Sequence, residues 1–377
     1  MKIVIATDSF KGTLTSLQAG EAIREGVRRI WPRAKTIVVP MADGGAGTVT
    51  AVLAGAGGQR HSVEVLGPLG RPVTAEFGLL PDGQTAVIEM AASSGLSLLD
   101  VAERDPMRTS TYGTGQQILA ALKAGASRLL IGLGDSATID GGCGCAQALG
   151  IRFIDSQGTT LPRSLGGGDL DRIAHVDWAD RDERIKHAKI TALYDVANLL
   201  CGERGAAREY GPQKGATPDQ VERLDRNLSH LAQIIENDLN IKVAELNGGG
   251  AAGGLGAGLV AFAGAELRSG VEFIIEVSAL AHKMLGAGLA ITGEGRIDAQ
   301  SWMGKVVSGV AGCAKANGVP VIAIAGSAGA EAEACLGVLD AFYTIREPGD
   351  SIPKPGQEAM RDLAAQSVRH LASWAGV

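Results

Sequence analysis

Acidic side chains recur along this chain just beyond short apolar runs of the kind that form buried strands. In an open α/β sheet, ligands bind in the crevice beyond the carboxyl ends of the strands. A single acid at such a place is about as often a helix N-cap or a turn former. Several together favour a functional site. These acids are Asp8, Asp43, Asp140, Asp195, Glu294 and Asp298.

Basic side chains lie in the same loops, namely Lys11, Arg296 and Lys305. Carboxylates can hold Mg2+ and cations can bind phosphate oxygens, and phosphoryl transfer needs both. The sequence contains neither the Walker signature GxxxxGK[ST] nor the protein-kinase motifs. These residues therefore predict phosphotransfer of the ATP type without a P-loop, or another enzyme with an anionic ligand, and they leave the substrate open.

The most concentrated candidate loop lies within residues 129–150, LLIGLGDSATIDGGCGCAQALG. An apolar run at 129–131 predicts a strand, a glycine-rich loop follows it, and a helix-forming segment comes next. We call residues 133–142 the central loop. Its polar side chains are Asp135, Ser136, Thr138 and Asp140. Glycines let backbone N–H groups approach a phosphate, so an anion and metal site is predicted, with an ordinary strand-to-helix turn as the alternative.

Alternating strand and helix patterns surround these loops. Two successive strand-loop-helix units near the N-terminus predict a parallel sheet with covered faces. Short strands at 62–65, 73–80 and 85–90, joined by turn signals, predict antiparallel pairing in a second domain. An amphipathic helix is expected at 218–239, and the polar stretch 155–188 is interpreted as a surface connection. Further strands are expected at 129–131, 189–193, 289–292 and 320–325.

The composition is that of a soluble globular protein. The chain has 377 residues, of which 45% are hydrophobic and 20% charged, and this length suggests two or three domains. A net charge of −6 without basic runs argues against nucleic-acid binding, and no segment suits a membrane span. The five cysteines are scattered and odd in number, and the N-terminal apolar run is too short for a signal peptide, so a cytoplasmic location is expected.

Taken in order, the loop motifs resemble the signatures of bacterial type I glycerate kinases over nearly the whole chain. The matching stretches are DSFKGTLTS at 8–16, PMADGGAGT at 40–48, GLGDSATIDGG at 132–142, GPQKGAT at 211–217, GGGAAGGLGAG at 248–258 and TGEGRID with the following GK at 292–305.

This resemblance implies phosphorylation of D-glycerate by ATP with Mg2+, usually to 2-phosphoglycerate. It implies two α/β domains. A flavodoxin-like domain with a parallel sheet would combine 1–70 and 286–377, and an inserted domain with a mixed sheet would span 71–285. The active site would lie in the cleft between them. The small-molecule partners would be D-glycerate and ATP, and the sequence leaves homodimer formation open.

The resemblance also implies roles for individual residues. Ser9 and Lys11 would contact the anionic substrate or phosphate. The general base and the magnesium ligands would come from Asp43, Asp140 and Asp195, with Asp195 the first choice for the base and Asp43 and Asp140 for the metal. The phosphate cradle would be formed by Gly134, Ser136 and Thr138. The remaining site residues would be Glu294, Arg296, Asp298 and Lys305.

Several positions depart from the family pattern. Ala46 stands where an acid is usual, Asp135 replaces a glycine, Ile139 replaces an asparagine, and 195–200 read DVANLL rather than DVTNPL. A missing carboxylate would weaken metal binding, and Asp135 would either replace it or repel phosphate.

Two alternative functions follow from the sequence. A formal GxGxxG at Gly248, Gly250 and Gly253 allows a dinucleotide-dependent oxidoreductase, although no clear strand runs directly into it. Ala46 allows a non-catalytic binder of hydroxy acids descended from the kinases. Which hydroxyl is phosphorylated, and whether another small hydroxy acid is preferred, are not determined by the sequence.

Overall fold

A computed structural model describes residues 1–10, 13–298, 301, 305–329, 332–345, 356 and 358–364. The strands within these residues are β1 Lys2–Thr7, β2 Lys35–Pro40, β3 Gln59–Leu66, β4 Pro72–Leu79, β5 Thr85–Glu89, β6 Arg128–Gly132, β7 Arg152–Ile154, β8 His175–Asp177, β9 Lys189–Tyr194, β10 Glu266–Ser269, β11 Leu289–Ile297, β12 Val321–Ala328 and β13 Ala341–Thr344. The α-helices are α1 Ser16–Ile30, α2 Thr48–Ala56, α3 Ala91–Ser94, α4 Tyr112–Lys123, α5 Cys143–Ala148, α6 Glu183–His187, α7 Ala206–Tyr210, α8 Pro218–Leu239, α9 Leu255–Ala263, α10 Gly270–Val277, α11 Leu280–Met284 and α12 Val306–Ala316.

The chain divides into two compact units. Unit 1 comprises Met1–Asp43, Thr50–Ala56 and Gly270–Val377, and unit 2 comprises Gly44–Val49 and Gly57–Ser269. This division places β3 in unit 2 and both α10 and α11 in unit 1. The sequence-based domains, 1–70 with 286–377 and 71–285, remain a prediction.

Unit 1 contains a five-stranded sheet in the order β13-β12-β11-β1-β2, and every neighbouring pair is parallel. Numbered by chain order within the unit and read from the β2 edge, the order is 2-1-3-4-5, which is the flavodoxin-like arrangement. The predicted parallel sheet is confirmed. Its strand order reverses between β1 and β11, so the crevice beyond these two strands is the expected ligand position.

Unit 2 contains a mixed six-stranded sheet in the order β10-β9-β6-β5-β4-β3. The strands β10, β9, β6 and β5 pair in parallel, whereas β4 pairs antiparallel with both β5 and β3. The predicted mixed sheet and the antiparallel pairing of its first strands are confirmed.

Helix α8 shows how local sequence sets an element. Thr217 accepts a hydrogen bond from the Gln220 N–H, the Gln220 side chain accepts one from the Thr217 N–H, and Pro218 occupies the first turn. The helix buries Val221, Leu224, Leu228, Leu231 and Ile235, which recur at spacings of three and four residues. The predicted helix at 218–239 is confirmed with both of its ends.

The interpretation of 155–188 as a surface connection is wrong. Strand β8 pairs antiparallel with β7, and the stretch adds side chains to one of the cores of unit 2. Leu161, Leu165, Leu170 and Ile173 are all buried. Because these apolar residues stand singly among polar ones, no helix or strand period marks them in the sequence.

The glycine-rich segment 247–258 packs directly on backbone of the central loop. A Cβ on Gly253 would collide with the Thr138 carbonyl oxygen, and one on Gly258 would lie 2.5 Å from the Gly141 carbonyl oxygen. The segment follows irregular chain after α8 rather than a strand. The formal GxGxxG therefore serves close packing here.

Among the described residues, none of the helices has both the length and the apolar character that crossing a membrane requires.

Two glycines with similar positive φ angles allow the cost of a collision to be distinguished from the cost of backbone strain. Gly253 has φ +67° and packs on Thr138, whereas Gly264 has φ +65° and a Cβ added there would meet nothing within 4 Å. Gly264→Ala should lose about 1 to 2 kcal/mol of unfolding free energy, the cost of a left-handed alanine. Gly253→Ala should lose about 1 to 3 kcal/mol more through the collision. Urea unfolding measures both, and equal losses would contradict the close packing.

Candidate active site

Three parallel strands of unit 2 end side by side at the sheet edge where acids were predicted. In the register, Glu89 at the end of β5 lies beside Gly132 at the end of β6, and Gly132 lies beside Leu193 in β9. The central loop follows β6, and the half-buried Asp195 follows β9. The parallel register thus brings Asp195 and the central loop to the same end of the sheet.

Asp140 is the buried carboxylate of the central loop, and hydrogen bonds hold it inside the protein. It is fully buried, and its carboxylate accepts four hydrogen bonds. The Thr111 N–H and hydroxyl each donate to Oδ2 at 2.7 Å, the Gly144 N–H donates to Oδ2 at 3.2 Å, and the Gly142 N–H donates to Oδ1 at 3.1 Å. Burial raises the pKa of Asp140, while these donors oppose that shift.

Lys214 enters the same site, although it was not among the predicted site residues. Its side chain is buried, and Nζ donates to Ser136 Oγ at 2.7 Å and to the Thr138 carbonyl oxygen at 2.9 Å. Burial lowers the pKa of Lys214 to about 7, whereas the charges of Asp140 and Asp195 favour the ammonium. The acidic chain thus places a cation directly at the central loop.

The three predicted phosphate-cradle residues differ in their contacts. The Gly134 N–H donates to the Gly44 carbonyl oxygen at 3.0 Å, so this donor is used inside the protein. Ser136 is 7% exposed and accepts from Lys214. Thr138 is fully buried, and its Oγ1 has no hydrogen-bond partner among the described residues. The hydroxyls, rather than the Gly134 N–H, are the groups with capacity for a ligand.

Two carboxylates hold the loop at 44–49. The Gly47 and Val49 N–H groups donate to Glu89 Oε1 at 3.1 and 2.7 Å, and the Ala46 N–H donates to Asp135 Oδ2 at 3.1 Å. Burial raises the pKa of Glu89, while the two backbone donors lower it. Two of the departures from the family pattern, at positions 46 and 135, therefore contact each other.

A second group of predicted residues lies at the strand-order reversal of unit 1. Asp8 follows β1, and its N–H donates to the Gly293 carbonyl oxygen in β11 at 2.9 Å. The Asp8 carboxylate in turn accepts from the Ser9 N–H at 2.6 Å. Asp43, 6% exposed, follows β2, and Glu294 lies one residue beyond Gly293. The flavodoxin-like order thus brings Asp8, Ser9 and Glu294 to the expected ligand position.

The carboxyl group of Glu294 in unit 1 has a strongly raised pKa. Burial raises its pKa from 4.5 to about 7; Asp298 and Asp43 also raise it, whereas the Ser301 hydroxyl and Lys305 lower it. Its Oε1 is buried and has no hydrogen-bond partner among the described residues. A carboxyl group with a pKa near neutrality can bind or release a proton at physiological pH.

Two of the remaining predicted residues, Arg296 and Lys305, follow Glu294 in the chain. Arg296 is exposed and lies 3.7 Å from the Asp298 carboxylate, and Lys305 directly precedes α12. Lys11 lies outside the described residues. No group of three or more His, Cys, Asp or Glu side chains in the described ranges could hold a metal ion.

Two sheets with parallel strands, and with acidic and basic side chains at the carboxyl ends of those strands, are typical of an α/β enzyme. The model of the glycerate kinase family matches residues 3–374. The chain therefore belongs to the glycerate kinase family, phosphotransferases with an alcohol group as acceptor.

Similar proteins cover nearly the whole chain. Glycerate kinase of Halalkalibacterium halodurans is 47% identical over 375 residues, which span 99% of this chain and 98% of that protein. Glycerate 2-kinase of Escherichia coli K12 is 48% identical over 327 residues, 87% of this chain and 85% of that protein. A crystal structure of a protein provisionally named glycerate kinase 2, from Salmonella typhimurium LT2, superposes with a TM-score of 0.84 at 44% identity and covers both chains completely.

The stretch GPQKGAT matches a family motif, but the sequence predicted no role for its lysine. Lys214 lies between Pro212 and Gly215, a setting typical of exposed turns, and its acceptor Thr138 is 76 residues away. The one available signal was its position within a matched family motif.

The Glu294 pKa predicts a pH-dependent stability. Because folding raises this pKa, the protonated carboxyl stabilises the folded protein at low pH, and this stabilisation is lost as the pH rises through about 7. Glu294→Gln removes the cost of ionising the buried group. At about pH 8 the variant should gain roughly 1 to 3 kcal/mol over the wild type, and at about pH 5 much less.

Thermal unfolding midpoints at the two pH values, measured in chelator-treated protein, check this expectation. The exposed Glu245→Gln serves as the matched control and should show no pH-dependent gain. An equal gain for Glu294→Gln at both pH values would mean that its ionisation is not the cause.

Proposed function

We propose that this enzyme transfers the γ-phosphoryl group of ATP to D-glycerate and forms 2-phosphoglycerate. The observation that carries the proposal is the 48% identity to the E. coli protein named glycerate 2-kinase, over 87% of this chain. The site chemistry supports it, since hydroxyls, cations and carboxylates lie at the carboxyl edges of both sheets.

In this proposal the central loop binds a substrate oxyanion. The Ser136 and Thr138 hydroxyls supply hydrogen bonds, and the Lys214 ammonium donates to Ser136 Oγ and to the Thr138 carbonyl oxygen within the same loop. In unit 1, Ser9, Arg296 and Lys305 bind further anionic oxygens, and Lys11 joins them by its place in the motif. These groups hold the reactants and stabilise charge, which is the main protein contribution to phosphoryl transfer.

Asp195 is our choice for the general base. The oxygen of the glycerate C2 hydroxyl attacks the γ-phosphorus, the bond from that phosphorus to the β,γ-bridging oxygen breaks, and ADP leaves with the bond electrons. The hydroxyl proton passes to the Asp195 carboxylate. Asp195 suits this role because it is half-buried and lies at the same sheet edge as the central loop.

Mg2+ fits the acidic residues Asp43 and Glu294 of unit 1 better than the central loop. Asp43 offers a hard oxygen donor close enough to influence Glu294, whereas the four internal donors of Asp140 occupy its carboxylate. Asp43 would therefore hold the ion together with phosphate oxygens, and Asp140 would position the loop. When bound, Mg2+ neutralises charge on the phosphates and orients them.

The test is ADP release by the purified enzyme with ATP and Mg2+, comparing D-glycerate, L-glycerate and no acceptor. Turnover should require D-glycerate, and phosphorus-proton coupling in the product should involve the C2 hydrogen. Asp195→Asn should lower kcat by about 100-fold or more, since a general base contributes about that much.

The exposed Asp219→Asn serves as the matched control and should retain wild-type turnover. Retained activity in Asp195→Asn would assign the base elsewhere, with Glu294 next to test. Substrate binding without ADP release in folded protein would favour the non-catalytic binder.

A further inference from the structure

Lys214 is held rigidly by the turn that carries it. The Lys214 N–H donates to the Gly211 carbonyl oxygen at 3.0 Å, and the Gly215 N–H donates to that of Pro212 at 3.1 Å. Gly215 has φ +94°, and a Cβ there would collide with the Arg104 carbonyl oxygen. The backbone is therefore fixed on both sides of the lysine, and the side chain reaches the central loop from a defined point.

The chemistry of an ammonium decides the direction of the hydrogen bond to Ser136. An ammonium carries three N–H donors and no acceptor, so Ser136 Oγ must accept at 2.7 Å. The Ser136 hydroxyl hydrogen must then point away from Lys214. The Thr138 carbonyl can only accept, and it holds a second ammonium hydrogen at 2.9 Å.

We propose that Lys214 is a positioning residue that directs the Ser136 hydroxyl to donate its hydrogen to an oxyanion of the substrate. This inference rests on the proposed function, because it takes Ser136 as a contact of that oxyanion. Ser136 retains 7% exposure, so a ligand can reach it. Thr138 Oγ1, which has no hydrogen-bond partner within the described part of the chain, is a second polar group on the same loop.

The charge state of Lys214 controls this direction. A neutral amine has a lone pair, so the Ser136 hydroxyl can rotate and donate its hydrogen to Lys214 Nζ. The lone pairs of Ser136 Oγ then face the ligand. The charged groups near the lysine come from several elements: Asp140 in the central loop and Asp195 after β9 act on its pKa, and the Arg104 guanidinium donates to the Gln213 carbonyl oxygen in its turn. Burial lowers the Lys214 pKa to about 7 against the two carboxylates. Anion binding should therefore weaken as the pH rises through this value.

The experiment compares the wild type with Lys214→Met, Ser136→Ala and the double variant. The control is Lys242→Met, which removes a lysine whose side chain is 74% exposed. For each protein, KM and kcat for D-glycerate and for ATP are measured at about pH 6 and about pH 8.5, on either side of neutrality. Thermal unfolding verifies that each variant is folded.

In the wild type and the control, one of the two KM values should rise about tenfold between these pH values, with a smaller change in kcat, as expected for one charge-assisted hydrogen bond. Lys214→Met and Ser136→Ala should each show the high KM at both pH values, and the double variant should be no worse than either. Additive effects in the double variant, or a wild-type pH profile in Lys214→Met, would overturn the proposal.

A binding measurement keeps the inference separate from the proposed reaction. Sulfate, whose charge is constant over this range, should raise the unfolding midpoint of the wild type more at the lower pH, and both single variants should lack this difference. If the pH difference persists in Ser136→Ala, the inference is wrong. If sulfate behaves as expected but D-glycerate gives no turnover, the inference holds and the proposed reaction fails.

Discussion

The buried carboxylate of Asp140 is the interaction on which the central loop depends. An ionised carboxylate inside a protein is unfavourable unless hydrogen bonds or opposite charge compensate it. Here four donors do so, and they come from the start of α4, from the loop itself and from the start of α5. The same charge favours the ammonium of Lys214. The loop, the two helix starts and the lysine therefore form one interdependent assembly.

Local patterns explain what the sequence predicted well. Asp195 follows a short apolar run at the end of β9, and α8 carries its own period and caps, so this acid and the bounds of α8 could be anticipated. Glu294 was expected beyond a strand at 289–292, but it lies inside β11, which continues to Ile297 because its pairing with β12 extends that far. The burial of Lys214 could not be predicted from local patterns, because it depends on the central loop, which lies far away in the chain. The interpretation of 155–188 as a surface connection was wrong for the same reason, because the residues that bury its isolated apolar side chains come from other parts of the fold.

The contact between residues 46 and 135 explains their departures from the family pattern together. The sequence left open whether Asp135 replaces a missing carboxylate or repels phosphate. Asp135 has φ +61°, and its carboxylate accepts the Ala46 N–H, so it is anchored to the very loop that lacks the usual acid. Glu89 accepts two further N–H groups of this loop at the start of α2. Negative charge at a helix start is favourable, which gives both carboxylates a stabilising interaction.

Several polar atoms without protein partners among the described residues lie at the carboxyl edges of the two sheets. Thr138 Oγ1 follows β6, and Thr292 Oγ1 and Glu294 Oε1 lie in β11 beside the strand-order reversal. Each such atom lowers stability, because it loses water without gaining a hydrogen bond. A ligand with complementary groups would supply the missing partners and would stabilise the folded state by binding to it. These unpartnered atoms therefore lower the stability of the protein alone and leave hydrogen-bonding capacity for a ligand at the carboxyl ends of the strands.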